Sequence, residues 1–137
     1  MKHYLSRNYT IDHLDFDDLE SCVSIYEDQI RGWFFEQARL VDQASIHGGL
    51  VILLVVLSYV EAHAIFYKGE DSEGRSKPFF RFGFKEIFPI SGADSAERDK
   101  IIDELYKELR CGLFHTGITR GKVRVSNAYR YYLNIFV

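Results

Sequence analysis

Phe16, Leu19, Val23, Tyr26, Ile30, Trp33 and Leu40 recur at steps of three and four, with Gln37 filling the one gap. That period predicts one long amphipathic helix over roughly residues 15–41. Asp17, Asp18, Glu27, Asp28, Arg31 and Arg39 occupy the opposite face. Gly32 weakens the helix by about 1 kcal/mol relative to alanine. The next stretch, about residues 46–67 and ending near Gly69, contains the run LVILLVVL from Leu50 to Leu57. A segment apolar on every side predicts a buried helix whose neighbours cover several faces. Its β-branched residues also suit a strand. The apolar character continues through Tyr59, Val60, Ala62, Ala64, Ile65 and Phe66, however, and that length favours the helix.

Residues 69–78, GEDSEGRSKP, read as a polar loop. Phe79, Phe80, Phe82, Phe84 and Phe88 then crowd together, predicting an irregular or short helical lid over the bundle, or an aromatic surface for a partner. A third helix is announced by Asp94 with Glu97 three residues on, the spacing of a capping box. Ile101, Ile102, Leu105, Leu109 and Leu113 supply its apolar stripe, and Gly112 and Gly117 both offer ends. Beyond Gly121, KVRVS alternates as a short strand does, while YRYYLNIFV fits a strand, a closing helix, or a chain trimmed from something longer. The expected class is all-α: a compact helical bundle in one domain, residues 1–137, with a short β-hairpin or strand near the C-terminus left open.

A hydrophobic share of 47% and an aromatic share of 15% exclude a disordered chain. The N-terminus lacks the apolar stretch of a secretory signal. An eight-residue apolar run is too short to cross a bilayer as a helix, and Ser58, Tyr59 and Glu61 follow it, so no membrane association is expected. Cys22 and Cys111 match no metal or redox spacing, which points to a cytosolic protein. The net charge of −3 is unevenly spread. From Arg110 to Val137 there are five basic and no acidic residues, +5 there against −8 before it. Such a basic end attracts an anionic ligand.

The chemistry concentrates at the tip of the third helix, in LYKELRCGLFHTGITRG, where Arg110 and His115 lie five residues apart. Five residues of α-helix rotate by about 500° and rise about 7.5 Å, leaving the two side chains roughly 140° apart. They serve one phosphate only if the helix loosens near Gly112, or if a two-fold axis brings in a second copy. Histidine can take a 2′-hydroxyl proton near neutral pH, and an arginine fork can hold the phosphate. The plainer alternative pairs Arg110 with Glu108 or Asp103 and leaves His115 to cap the helix. Glu61 stands alone in an apolar helix, where an unpaired carboxylate is costly, so it is expected to pair with Arg110 or another base. Glu61 and His63 are two apart and make a poor metal clamp; neither a metal nor a nucleotide-binding glycine loop is indicated.

Arg110 and His115, separated by four residues after the aliphatic approach LYKEL, resemble the signature of the HEPN superfamily: an arginine, four to six residues, then a histidine. The likeness covers about residues 14–120. It implies a helical bundle, usually dimeric, and a metal-independent endoribonuclease of the kind found in toxin–antitoxin or defence systems. Arg110 and His115 would be the catalytic pair. No cofactor is implied; the partners would be RNA, a second copy, and an antitoxin or regulatory protein. Members usually carry Asn, Asp or His after the arginine; Cys111 stands there and would be the orienting group, alongside Glu61. Arg120, Lys122, Arg124 and Arg130 would line the RNA path, with Tyr129, Tyr131 or Tyr132 as stacking surfaces. The alternatives are a non-catalytic RNA-binding module of the same fold and a purely structural dimerisation domain.

Overall fold

The structure, a computed structural model, describes residues 3–44, 47–88 and 94–119. Among these residues the chain is all-α, with four helices and no strand. It divides into two units, Met1–Gly48 and Gly49–Val137.

The first unit is built on α1, residues 19–44, a continuous helix in three parts: Leu19–Gln29, a wide π-helical stretch Ile30–Phe35, and Glu36–Ala44. It starts later than the periodicity predicts, because the Asp18 carboxylate caps it by accepting from the Glu20 N–H at 3.0 Å. The segment before it folds back through an antiparallel bridge between Tyr4 and Thr10. Asp28 anchors that segment, accepting from Ser6 Oγ (2.5 Å), Asn8 N (2.9 Å) and Asn8 Nδ2 (2.7 Å), while Gln29 donates to the Leu5 carbonyl at 2.6 Å. These bonds, with Ser6 first, hold the Asp28 carboxyl below its ordinary pKa. Ile25 is buried on this side of α1, so the covered face is not the periodic stripe. Phe16 (83% exposed), Leu19, Val23, Trp33 and Leu40 remain exposed. The predicted helix is present, and the folded-back segment is tied to its flank at Asp28 and Gln29 rather than to the periodic stripe.

The second unit holds α2 (Gly49–Lys68), α3 (Ser76–Ile87) and α4 (residues 95–116). Leu57 and Val60 of α2, Phe80 of α3, and Ile102, Leu105, Leu109 and Leu113 of α4 form its buried core. α2 is long and apolar enough to cross a bilayer by length and composition, being longer than its unbroken apolar run. Only Leu57, Val60 and Ala64 are buried on it, and Val51, Phe66 and Tyr67 are exposed. The expected cover on several faces is therefore confined to one side, where α3 and α4 lie.

The phenylalanine-rich segment is the short helix of the two forms expected, three turns long and packed within the core. Pro78 sits in its first turn, where no intrahelical N–H is required. Phe79, Phe80 and Gly83 are buried; Gly83 lies four residues after Phe79 and three after Phe80, so the three share one helical face. Gly83 brings α3 against α2: a Cβ there would lie 2.0 Å from the Val60 carbonyl oxygen. Charge fixes α3 to α4. Arg81 grips Asp103 with a two-oxygen fork (2.7 and 2.8 Å), Lys77 reaches the same carboxylate at 2.8 Å, and Lys85 pairs with Asp99.

α4 begins as the sequence predicts, with the Asp94 carboxylate accepting from the Glu97 N–H at 2.8 Å. It runs as Ser95–Glu104, a π-helical stretch Leu105–Arg110, and Cys111–Thr116. Gly112 is buried inside it, and the helix ends at Gly117, whose φ of 72° is the left-handed conformation favoured by glycine.

Candidate functional site

Arg110 closes the wide turn of α4, where the Cys111 N–H bonds back five residues to the Tyr106 carbonyl. Such turns are rare inside α-helices and recur at functional sites. The Arg110 guanidinium is directed at α2, with Nη2 3.1 Å from Glu61 Oε2. Both side chains are largely buried, 22% and 14% exposed. Residues four before and four after the arginine flank it. Its Cζ lies 4.6 Å from the Phe114 ring centre and 5.8 Å from that of Tyr106, within cation–π range.

Glu61 is held from a second direction. Ser72 Oγ donates to Oε1 at 2.8 Å, and Ser76 Oγ donates to Oε2 at 2.7 Å. The loop between α2 and α3 thus delivers Ser72, and the first residue of α3 delivers Ser76. A carboxylate taken out of water in an apolar helix is thereby given three donors, which offsets the cost of burying it.

The plainer pairing of Arg110 with Glu108 or Asp103 does not occur: Asp103 is taken by Arg81 and Lys77, and Glu108 pairs with Lys107 at 2.8 Å. His115 does not cap the helix. It is exposed in the last turn, where Thr116 Oγ donates to the Gly112 carbonyl at 2.8 Å and Gly117 closes the end. The stretch from Cys111 to Thr116 is α-helical, so the loosening near Gly112 that would swing His115 toward Arg110 is absent. The relaxed turn lies before the arginine, leaving the two side chains of one chain roughly 140° apart.

Cys111 does not join the cluster. Among the described residues it lines an open surface hollow with Lys77, Lys100, Asp103, Tyr106 and Lys107, because successive helical residues point about 100° apart. Arg120, Lys122, Arg124 and Arg130, with Tyr129, Tyr131 and Tyr132, lie outside the described residues. Among the described residues no three His, Cys, Asp or Glu side chains gather as metal ligands. His63 stands between the rings of Tyr59 and Tyr67, each 6.1 Å away, rather than beside Glu61 in a clamp.

Two groups at the site carry no mark in the sequence reading, Ser72 and Ser76. Hydroxyls in a polar loop look alike until the fold places them. The one available signal was Glu61 itself, a carboxylate needing more donors than one arginine contact supplies. Comparison with protein-family models, curated proteins and solved structures gives no match.

Proposed function

We propose that this chain is a HEPN-like, metal-independent endoribonuclease that acts as a homodimer, in a toxin–antitoxin or defence setting. The observation that carries the reading is the Arg110 guanidinium, held on Glu61 by one contact, backed by Phe114 and Tyr106, within two turns of an exposed His115. Arg110 holds the non-bridging oxygens of a phosphodiester and opposes the charge that grows on them. His115 removes the proton from the adjacent 2′-hydroxyl, whose oxygen attacks phosphorus. The P–O5′ bond breaks, leaving a 2′,3′-cyclic phosphate, and His115 of a second copy protonates the departing 5′-oxygen. Two copies are required because one helix cannot aim both side chains at a single phosphate.

The test is cleavage of mixed structured and unstructured RNAs in EDTA, with end-group analysis. Native protein should release 2′,3′-cyclic ends, and Arg110→Ala and His115→Ala should each lower the rate by at least about 100-fold while keeping the native circular dichroism. Undiminished cutting by His115→Ala would sink the mechanism. The divergence of Arg110 and His115 favours a second reading, a non-catalytic RNA-binding or dimerisation module. RNA binding with no cleavage at any pH would select it.

A further inference from the structure

Two arginine–carboxylate pairs in the second unit are built differently. Arg81 takes both oxygens of Asp103, at 2.7 and 2.8 Å, with a third contact from Nε at 3.1 Å. Arg110 reaches a single oxygen of Glu61 with a single nitrogen at 3.1 Å. The second pair is the more buried of the two, at 22% and 14% exposed against 35% and 29%. Burial alone would favour the tighter fork, since partial removal of water strengthens charge-assisted bonds. The difference lies in the acceptors. Ser72 occupies Oε1 of Glu61, and Ser76 shares Oε2 with Arg110. A fork needs both oxygens presented edge-on: Asp103 carries one further donor, Lys77 on Oδ2, and leaves Oδ1 to Arg81, whereas each oxygen of Glu61 carries a serine.

We propose that Ser72 and Ser76 are positioning residues that detune the Glu61–Arg110 pair, keeping the guanidinium aimed but available to a phosphodiester. A fully formed fork would make Glu61 an internal competitor for the same N–H groups that must bind phosphate. With the serines in place, Glu61 stays satisfied when Arg110 turns to an anionic ligand. No carboxylate is then stranded without donors in the apolar helix. The loop between α2 and α3 sets the arginine's affinity for phosphate without touching the ligand. This inference rests on the proposed role of Arg110 in holding RNA phosphate.

The test compares wild type, Ser72→Ala/Ser76→Ala, and the same double variant carrying Glu61→Gln. A His115→Ala background prevents turnover, and binding of a fluorescein-labelled single-stranded RNA is measured by anisotropy. The double serine variant should bind about tenfold more weakly, the scale of one charge-assisted hydrogen bond lost to a competitor. Glu61→Gln should restore affinity to within about twofold of wild type, because a neutral amide cannot compete as a carboxylate does. A merely structural role predicts the reverse, since a third substitution at an already damaged site would not rescue binding. Unchanged RNA affinity in the double variant, or no rescue by Glu61→Gln, overturns the proposal.

A second readout separates this outcome from failure of the ribonuclease reading. Rotation about the Arg110 Nε–Cζ bond is followed by nitrogen-15 NMR with no RNA present. Hindered rotation in the double serine variant and free rotation in wild type support detuning even if RNA is not the ligand. Equal rotation in both overturns it.

Discussion

Replacing Gly83 with alanine sets two well-characterised effects against each other. Alanine is the better helix former by about 1 kcal/mol, so propensity alone predicts a more stable protein. Contact predicts the opposite. The new Cβ would stand 2.0 Å from the Val60 carbonyl oxygen and 3.0 Å from its carbon. Close carbon–oxygen contacts in folded proteins stop near about 3.3 Å, so α2 and α3 must part by roughly 1.3 Å. The obstacle is backbone, and no side-chain rotation relieves it. Separation on that scale forfeits about half the dispersion attraction of the atoms that lose contact, and Phe80 and Val60 sit at that contact. Overpacking costs of about 1–3 kcal/mol are usual, and the upper end applies to a backbone clash. After the helix-propensity gain, a net loss of about 2 kcal/mol is expected. Urea unfolding followed by circular dichroism should show a midpoint lower by about 1 M. Gly32→Ala is the control: its Cβ meets only the Arg7 side chain, at 3.5 Å, and it should be neutral or stabilising by up to about 1 kcal/mol. A Gly83→Ala midpoint at or above wild type would refute the close-approach argument.

Two further outcomes follow from the same unit. Burial pushes the Asp103 carboxyl up, but bonds from Lys77 and Arg81 outweigh it and hold its pKa below the ordinary value. Asp103 therefore contributes stability above its unfolded pKa, near about 3.9, and this is lost as pH falls through the lower folded value. Asp103→Asn should unfold at lower urea than wild type at pH 7, with the gap closing as pH falls below about 4; a gap constant with pH would argue against the linkage. Gly117→Ala should cost about 1 kcal/mol, because a φ of 72° is strained for alanine while nothing lies within 4 Å of the added carbon. Equal thermal midpoints for that variant and wild type would show that the helix end relaxes freely.

The parts of this fold that were readable from sequence are those governed by local rules. Asp94 and Glu97 announce the start of α4 because a cap needs only a side-chain oxygen and an N–H three residues on. Ile102, Leu105, Leu109 and Leu113 announce its buried face because their spacing matches the turn of the helix. The α1 stripe obeyed the same rule, yet Leu19, Val23, Trp33 and Leu40 are exposed, since periodicity says which residues share a face and not whether that face is covered. The phenylalanine segment left an irregular stretch and a short helix both open, because its density of aromatics hid the four-residue steps of Phe80, Phe84 and Phe88. At the site, a partner for Glu61 was foreseeable from the cost of a lone carboxylate in an apolar helix. Its serines were not, because they come from a loop and from the first residue of α3, eleven and fifteen residues away, whose path depends on the whole unit.

The wide turn Leu105–Arg110 gives the helix a tolerance in its length. A five-residue step accommodates one more residue per turn than a four-residue step, so removing one residue between Leu105 and Arg110 would restore a plain α-helix. The turn itself takes up the loss: Ile102 before it keeps its place, Leu113 after it stays in the core, and Arg110 still faces Glu61. The same deletion on either side of the turn would instead swing the rest of the helix by about 100°. The turn is a slack link in an otherwise stiff shaft, where a single codon can be lost without turning the basic tip away from α2.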